Sequence, residues 1–342
     1  MSKKLYISFM GYDDNFTTIL KKNLIKHFNY KNHEVVDLPI INDENSIYFV
    51  VKFWKKILYY DKLRAKNLGF NNDYILITKQ ARKSLLPLIE KVKSSKSNTF
   101  IFQCIDAYCN LNLMEYKETL NKTFTYFDHI VFNSIFHGMM FFDWKYYINK
   151  YPDAQHFKTE DEAIDHYKKF GIYENRQFFE KSHSVIYHEY DMNLKPTYKI
   201  LNEVIYLGNL EKTSLNEEDF EKYNIILGDI SITDSCIHID FLNSDHMYYS
   251  VHTSTKLSTA LYFNCIFICN RIPVYVELLG ESYEFYINDD RSNLEGIINN
   301  AKEMLLDKQK YNNYLNSVSH VKQKLSPENI GKQHKILFDK FN

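Results

Sequence analysis

Short apolar runs alternate with longer stretches of helical periodicity along the first half of the chain. The apolar runs predict strands over residues 4–10, 33–38, 74–78, 99–104 and 129–133. Apolar residues in the intervening stretches recur every three or four positions, which is typical of helices packed on a sheet. Strands that alternate with helices indicate βαβ units and a parallel sheet.

The second half repeats this alternation. Its strands are predicted over residues 203–207, 223–227, 236–242, 266–269 and 282–287, and helices over 292–324 and 327–341 close the chain. A length of 342 residues exceeds what a single core usually supports. The pattern therefore predicts an α/β protein with two successive Rossmann-like domains.

A different pattern separates the two halves, in FFDWKYYINKYPDAQHFKTEDEAIDHYKKFGIYENRQFF. Ala163, Tyr167 and Phe170 follow helical spacing, and Gly171 fits the end of a helix. We predict a small helical insert between the domains. The predicted boundaries are 1–140 for the N-terminal, acceptor-side domain, 141–180 for the helical aromatic module, 181–324 for the C-terminal domain, and 325–342 for a last helix that can cross back to the N-terminal domain.

Composition narrows the class of protein. Hydrophobic residues make up 45% and charged residues 25%, with a formal net charge of −1, which is typical of a globular chain and gives no support for a nucleic-acid surface. Five cysteines without a CxxC pair favour reduced, buried thiols. No stretch fits a signal peptide or a membrane span, so we expect a cytoplasmic protein.

Candidate chemistry is concentrated in VHTSTKLSTALYFNCIFICNRIP, residues 251–273. Ser254, Thr255 and Lys256 stand at the start of a predicted helix. Hydroxyl groups there can cap the helix, and they can also bind an anion together with the lysine and the free backbone N–H groups.

The C-terminal half, from VIYLGN through STKLSTALYFNCIFICNRIPVYVELLGESYEFYINDD to the last helices, resembles the donor domain of GT-B glycosyltransferases. Lys256, Ala260, Pro273 and Glu277 occupy similar places in that pattern, whereas Asn264 stands where a glycine usually precedes the strand. The central segment resembles an FDxxYYLxxYPDV…HYxxxGxxExR module, which is seen beside glycosyltransferase domains in bacterial and large-virus proteins.

The resemblance implies a metal-independent, hexosyltransferase-like enzyme. It would move a sugar from a nucleotide-diphosphate sugar, with a UDP-sugar favoured, to an acceptor hydroxyl, and it would need no cofactor. The residues implied in binding the nucleotide sugar are Gly208, Asn209, His238, Ser254, Thr255, Lys256, Arg271 and Glu277.

Each of these residues also has a structural interpretation. Lys256 would neutralise leaving-group charge, or it is a solvated lysine. Glu277 would bind ribose hydroxyls, or it is a surface acid at a helix start. Arg271 would reach phosphate or form a surface salt bridge, and His238 would contact the nucleobase or lie buried in its strand. Gly208 and Asn209 would let the backbone approach the ligand, or they form an ordinary turn.

An inverting transferase needs a general base near the acceptor. The candidates are Asp13, Asp14, Asp106 and His137, each of which is also explained as a turn former, a helix cap or a loop histidine. A retaining enzyme needs no such base, so the stereochemistry stays open. No metal site is predicted.

Two other classes of function stay open. One is a non-catalytic sugar- or nucleotide-binding protein on a degenerate GT-B scaffold, and the other is a partner-docking protein that uses the aromatic module. The near-neutral charge makes a glycan or protein acceptor more plausible than DNA. The basic, aromatic stretch over residues 52–66 fits a solvated amphipathic helix, and it also fits the lining of an acceptor cleft or a peripheral membrane contact. Lys256→Ala is expected to lower turnover and leave folding nearly unchanged.

Overall fold

The computed structural model describes residues 4–9, 33–36, 46–51, 99–103, 113–125, 127–190, 200–208, 210, 213–228, 235–242 and 255–341. These residues contain two separate parallel sheets. Within this part of the chain, no helix is both long enough and apolar enough to span a membrane.

The first sheet has six strands in the order β2-β1-β3-β4-β5-β6. The strands are β1 (Lys4–Phe9), β2 (His33–Val36), β3 (Ser46–Val51), β4 (Thr99–Gln103), β5 (His129–Phe132) and β6 (Ser182–Val185). All neighbouring strands pair in parallel, with Ile7 opposite Val35 and Ile130 opposite His183 as register marks. Parallel pairing requires crossover connections, which agrees with the βαβ alternation of the sequence.

The second sheet has five strands in the order β11-β10-β9-β7-β8. The strands are β7 (Ile200–Leu207), β8 (Ile225–Gly228), β9 (Ser235–Asp240), β10 (Ile266–Asn270) and β11 (Tyr286–Ile287). All five residues of β10 are buried, as expected for a central strand covered on both faces. Two parallel α/β sheets confirm the predicted fold class of two Rossmann-like units, which we call the first and second units.

Ten helices complete the described part of the chain. They are α1 (Leu113–Phe124), α2 (Ile135–Met139), α3 (Trp144–Lys150), α4 (Glu160–His166), α5 (Glu217–Tyr223), α6 (Thr255–Tyr262), α7 (Pro273–Leu279), α8 (Leu294–Leu306), α9 (Lys308–Lys324) and α10 (Pro327–Asp339). The single helix predicted over 292–324 is broken at Asp307, whose carboxylate accepts hydrogen bonds from the backbone N–H groups of Gln309 and Lys310 and so begins α9.

Two strands differ from the prediction. The sequence did not predict β3, because SIYFVV is a continuous apolar run that fits a buried helix as well as a buried strand. Strand β6 pairs with β5 in the first sheet, although the second unit was predicted to begin at residue 181. The predicted strand over 74–78 lies outside the described residues.

The helices and turns of the aromatic module predicted over 141–180 span residues 144–171, and they lie between β5 and β6, inside the first unit. This corrects the predicted insert between the two domains. The module contains α3, a 3-10 turn, α4 and a π-helical turn at Tyr167–Gly171. A 2.8 Å hydrogen bond from the backbone N–H of Asp143 to the carbonyl of Phe178 joins the two ends of the module.

Gly171 is required by close packing inside the module. A Cβ atom at this position would lie 2.4 Å from the buried ring of Tyr167 and 3.1 Å from the hydroxyl of Tyr147. We expect Gly171→Ala to destabilise the protein by about 1–3 kcal/mol because the buried ring must move. Gly296→Ala is the matched control, since its Cβ position on α8 has no atom within 4 Å apart from its chain neighbours and the backbone of its own helix.

The control should stabilise the protein by about 0.5–1 kcal/mol, because alanine is the better helix former. Urea unfolding of the two variants measures both values. Equal effects of the two substitutions would show that the packing around Gly171 is loose.

The two units pack against each other through a shared apolar core, and the last helix reaches the first unit. His334 on α10 is fully buried and its Nε2 lies 3.3 Å from Oε1 of Gln103 at the end of β4. Phe341 packs its ring edge-on against His129 on β5. The C-terminal helix thus joins the second unit to the first sheet.

Candidate functional site

Two polar residues and a glycine lie at the carboxyl ends of three neighbouring strands of the second sheet. Asp240 is the last residue of β9, Asn270 is the last residue of β10, and Gly208 follows β7 directly. Asp240 and Asn270 are both fully buried. Open parallel sheets bind ligands at this edge, so these positions define the candidate site.

Asn270 holds the segment that follows β9. Its Oδ1 accepts a 3.1 Å hydrogen bond from the backbone N–H of Leu242, and its Nδ2 donates a 2.6 Å bond to the carbonyl of the same residue. On the other side, Thr213 pairs with Leu242 in an isolated bridge and donates its hydroxyl to the carbonyl of Phe241. The backbone next to Asp240 is therefore fixed from two directions.

Lys256 forms an ion pair with Asp240 at a distance of 2.5 Å between Nζ and Oδ1. The carboxylate is completely buried, and 17% of the lysine side chain is exposed. The second carboxylate oxygen accepts a 2.5 Å hydrogen bond from the hydroxyl of Tyr275 on α7. Asp240 thus links α6 and α7 to the central strand and fixes the ammonium group at the edge of the sheet.

Tyr206 on β7 lies beneath the same ammonium group. The Nζ atom of Lys256 lies 4.2 Å from the ring centroid and donates a 3.2 Å hydrogen bond to the hydroxyl. An ammonium over an aromatic face gains a cation–π attraction. Burial raises the pKa of Tyr206, and the nearby Asp240 raises it further, so this hydroxyl stays protonated.

Gly208 leaves room for the lysine. Its φ of +145° disfavours residues with a side chain, and a Cβ atom would lie 3.2 Å from Nζ of Lys256. Gly208 is exposed to solvent, so the ammonium lies next to open backbone. The arrangement holds one ammonium group, paired with the carboxylate of Asp240, at the carboxyl edge of the second sheet.

The structure corrects the expected environment of Lys256. The residue stands in the first turn of α6, as predicted, but its ammonium is paired with a buried carboxylate and only 17% of its side chain is exposed. The two unit charges offset each other, and the bonds to Asp240 and Tyr206 use two of the three N–H groups of the ammonium. Thr255 is half-buried, and its carbonyl accepts from the hydroxyls of Ser258 and Thr259.

Glu277 lies on α7 and faces the first unit. Its carboxylate accepts hydrogen bonds of 2.8 Å from the backbone N–H of Ile135 and 3.0 Å from that of Phe136, and a third from the hydroxyl of Tyr187. The structure therefore places the predicted ribose ligand in the contact between the two units.

The remaining described candidates lie apart from the lysine. Arg271 forms a 2.9 Å salt bridge with Glu281 on the surface and stacks over Tyr286. His238 is 2% exposed in the middle of β9, which agrees with its structural interpretation. Neither side chain contacts Asp240 or Lys256 in any described interaction.

His137 is fully buried in α2. Its Nδ1 lies 2.7 Å from Oδ1 of Asn133, and its ring packs edge-on against Phe132. Burial lowers the pKa of His137 to about 3. A general base must reach the acceptor hydroxyl, so the burial argues against this role for His137. Asp13, Asp14, Asp106, Asn209 and Ser254 lie outside the described residues.

Sequence reasoning missed the partners of Lys256. Asp240 and Asn270 each end an apolar run with a polar residue, in SCIHID and IFICN, and this signal is visible in the sequence. Tyr206 and Tyr275 carry no such signal, because tyrosines are frequent throughout this chain. Only the packing of α7 on the sheet brings the hydroxyl of Tyr275 to Asp240.

Metal ligands do not cluster in the part of the chain that the structure describes, where no three His, Cys, Asp or Glu residues could share an ion. Acidic residues also occur in the segment Asn288-Asp289-Asp290. There the carboxylate of Asp290 accepts a hydrogen bond from the backbone N–H of Ser292, and the backbone N–H of Asn288 donates to the side-chain oxygen of Asn293. These contacts form the turn before α8.

Comparison with known proteins gives structural likeness at low identity. No protein-family model matches the chain, and no curated protein matches it. Among solved structures, the chain is similar to the DNA-modifying enzyme β-glucosyltransferase, with 13% identity, coverage of 98% of this chain and 100% of that chain, and a TM-score of 0.46.

The chain is also similar to a glycosyltransferase from Rickettsia africae ESF-5, with 9% identity, coverage of 100% of this chain and 99% of that chain, and a TM-score of 0.49. A mutant of S. aureus TarM, in a complex that includes UDP, is similar with 9% identity, coverage of 87% of this chain and 56% of that chain, and a TM-score of 0.42. The fold class itself follows from the two parallel sheets described above.

Proposed function

We propose that the protein is a glycosyltransferase that takes a nucleotide-diphosphate sugar, preferably a UDP-sugar, as its donor. The observation that supports this proposal is Lys256, which is held at the carboxyl edge of the second sheet by Asp240 and Tyr206. Open parallel sheets bind nucleotides at this edge. A preorganised cation there matches the negative charge of a diphosphate.

Lys256 would act on the leaving group. The acceptor oxygen would attack the anomeric carbon, the bond from that carbon to the diphosphate oxygen would break, and the acceptor hydroxyl would pass its proton to water or to the departing diphosphate. The nucleoside diphosphate leaves with the bonding electrons and gains negative charge. An ammonium that is already oriented stabilises this charge more in the transition state than in the ground state. The N–H groups of the first turn of α6 would assist.

Pairing with Asp240 serves this role by fixing the lysine. A free lysine side chain has many rotamers, and ordering it on binding costs free energy. The 2.5 Å ion pair and the ring of Tyr206 fix the ammonium before a donor arrives. No cofactor or metal is part of this proposal, and a glycan or protein is the proposed acceptor.

A second candidate function is sugar-nucleotide binding without turnover. It is favoured by the buried position of His137, the one base candidate that lies within the described residues. In that case the site would hold a nucleotide sugar without transferring the sugar. The compartment and the docking role of the aromatic module stay predictions.

A nucleotide-sugar panel tests both candidates. We expect a UDP-sugar to raise the melting temperature of the full chain, because a ligand that binds only the folded state stabilises it by about 2.7 kcal/mol at a hundredfold excess over Kd. GDP-, ADP-, CMP- and TDP-sugars serve as comparisons. Release of free nucleotide from the bound donor then separates a transferase from a binding protein. No shift with any member would contradict both functions.

A further inference from the structure

Glu277 joins the two units with one carboxylate. It lies on α7 of the second unit, and all its described hydrogen-bond donors belong to the first unit. Oε1 accepts from the backbone of Ile135 and from the hydroxyl of Tyr187, while Oε2 accepts from the backbone of Phe136. Both oxygens are therefore occupied in this conformation.

The donors on α2 need an acceptor from outside their own helix. The first N–H groups of a helix have no partner within it. Ser134 caps α2, but its hydroxyl accepts a hydrogen bond from the backbone N–H of His137. The backbone N–H groups of Ile135 and Phe136 therefore need another acceptor. Glu277 supplies the missing acceptor, and its negative charge also suits the positive end of the helix.

Further groups enclose this contact. Tyr187 is buried, and Lys324 at the end of α9 donates a 3.3 Å hydrogen bond to its hydroxyl and lies 4.3 Å over its ring. Burial raises the pKa of Glu277, and the bonds from Tyr187, Ile135 and Phe136 oppose that rise. Burial lowers the pKa of Lys324, while the charge of Glu277 opposes that change.

Helix α2 follows β5 of the first sheet, and α7 follows β10 of the second. The contact therefore connects the carboxyl edges of the two sheets. Lys256 has no described contact with Glu277.

We propose that Glu277 is a positioning residue that fixes the spacing between the two carboxyl edges, and that it is not a ribose ligand. The inference rests on the proposed function, in which a donor at the second sheet must meet an acceptor held by the first unit. A positioning residue affects turnover more than donor affinity, because misaligned reactants still bind. A ribose ligand would affect donor affinity directly.

The test uses Glu277→Gln and Tyr187→Phe in the full chain, with UDP as the probe for affinity and the donor found in the panel for turnover. We expect UDP to bind both variants within about threefold of wild type, and turnover to fall by about tenfold or more in Glu277→Gln. Tyr187→Phe should lower turnover in the same direction. Glu295→Gln, which removes a carboxylate from an exposed ion pair with Lys222, is the matched control.

A rise of about tenfold or more in the Kd for UDP in Glu277→Gln, with Tyr187→Phe like wild type, would overturn the proposal in favour of ribose binding. Hydrogen exchange gives a readout that needs no ligand. The amides of Ile135 and Phe136 should exchange faster in Glu277→Gln than in wild type, and equal rates would also overturn the proposal. If wild type binds no UDP but these amides respond, the proposed function fails while the contact between the units stands.

Discussion

Lys256→Ala should lower the free energy of unfolding by about 3–5 kcal/mol, because it removes one partner of a buried ion pair. Asp240 has no exposed surface, so its carboxylate would stay desolvated and keep the hydroxyl of Tyr275 as its described partner. Urea unfolding of wild type and variant measures the difference. This expectation replaces the near-neutral effect that the sequence suggested for a solvated lysine.

Two further variants test whether the unpaired carboxylate of Asp240 causes this loss of stability. Lys222→Ala removes a lysine that is 55% exposed in its ion pair with Glu295, and it should change stability by less than about 1 kcal/mol. Combining Lys256→Met with Asp240→Asn removes both charges and should restore part of the lost stability. A loss below about 1 kcal/mol in Lys256→Ala would mean that Asp240 reaches water or another cation.

The same substitution should slow donor turnover about 30- to 1000-fold, which corresponds to about 2–4 kcal/mol of transition-state stabilisation. Turnover is measured well below the melting temperature, so that unfolded protein does not contribute. Lys256→Arg should restore only part of the rate, because a planar guanidinium differs in shape from the ammonium between Asp240 and Tyr206. A wild-type rate in folded Lys256→Ala would limit the lysine to a structural role.

Asn270→Ala should destabilise the protein by about 2–5 kcal/mol, since it leaves a buried N–H and a buried carbonyl without their partner. Both groups belong to Leu242, which is 1% exposed. The segment after β9 would lose one of its two attachments, so the position of Asp240 should loosen as well. Thermal and urea unfolding measure the stability, and UDP titration measures the effect on the site.

Asn299→Ala provides the control for Asn270→Ala. Asn299 is exposed on α8, and alanine favours the helix, so this variant should be neutral or slightly stabilising. If Asn270→Ala were equally neutral, water would have to enter the edge of the sheet and replace both hydrogen bonds of the side chain.

The local pattern of apolar and polar residues was enough to predict most of the described strands of the second unit. The run IFICN is apolar, short and preceded by a helical stretch, so its strand could be predicted to within one residue. The same argument failed for β3, because a longer apolar run carries no period that separates strand from helix. The spatial order of the strands could not be read from the sequence, because it depends on how the crossovers pack.

The candidate site was predictable only in part. Capping signals and charge placed Lys256 at a helix start, and the structure shows it in the first turn of α6. Its ion pair with Asp240 joins residues 16 positions apart, and the contact of Glu277 with Ile135 spans 142 positions. Such long-range contacts depend on tertiary packing, which periodicity and propensity do not encode.

The hydrogen bond that joins the two ends of the aromatic module affects how the chain folds. Strand β6 joins β5 with His129 and Ser182 at 53 positions apart, and closing so long a loop costs entropy before the pairing gains anything. The hydrogen bond between Asp143 and Phe178 brings the two ends of the module together. A module that forms first therefore shortens the effective loop and speeds the addition of the edge strand. Replacing the module with a flexible glycine linker of the same length should leave the final register unchanged, and the variant should refold more slowly.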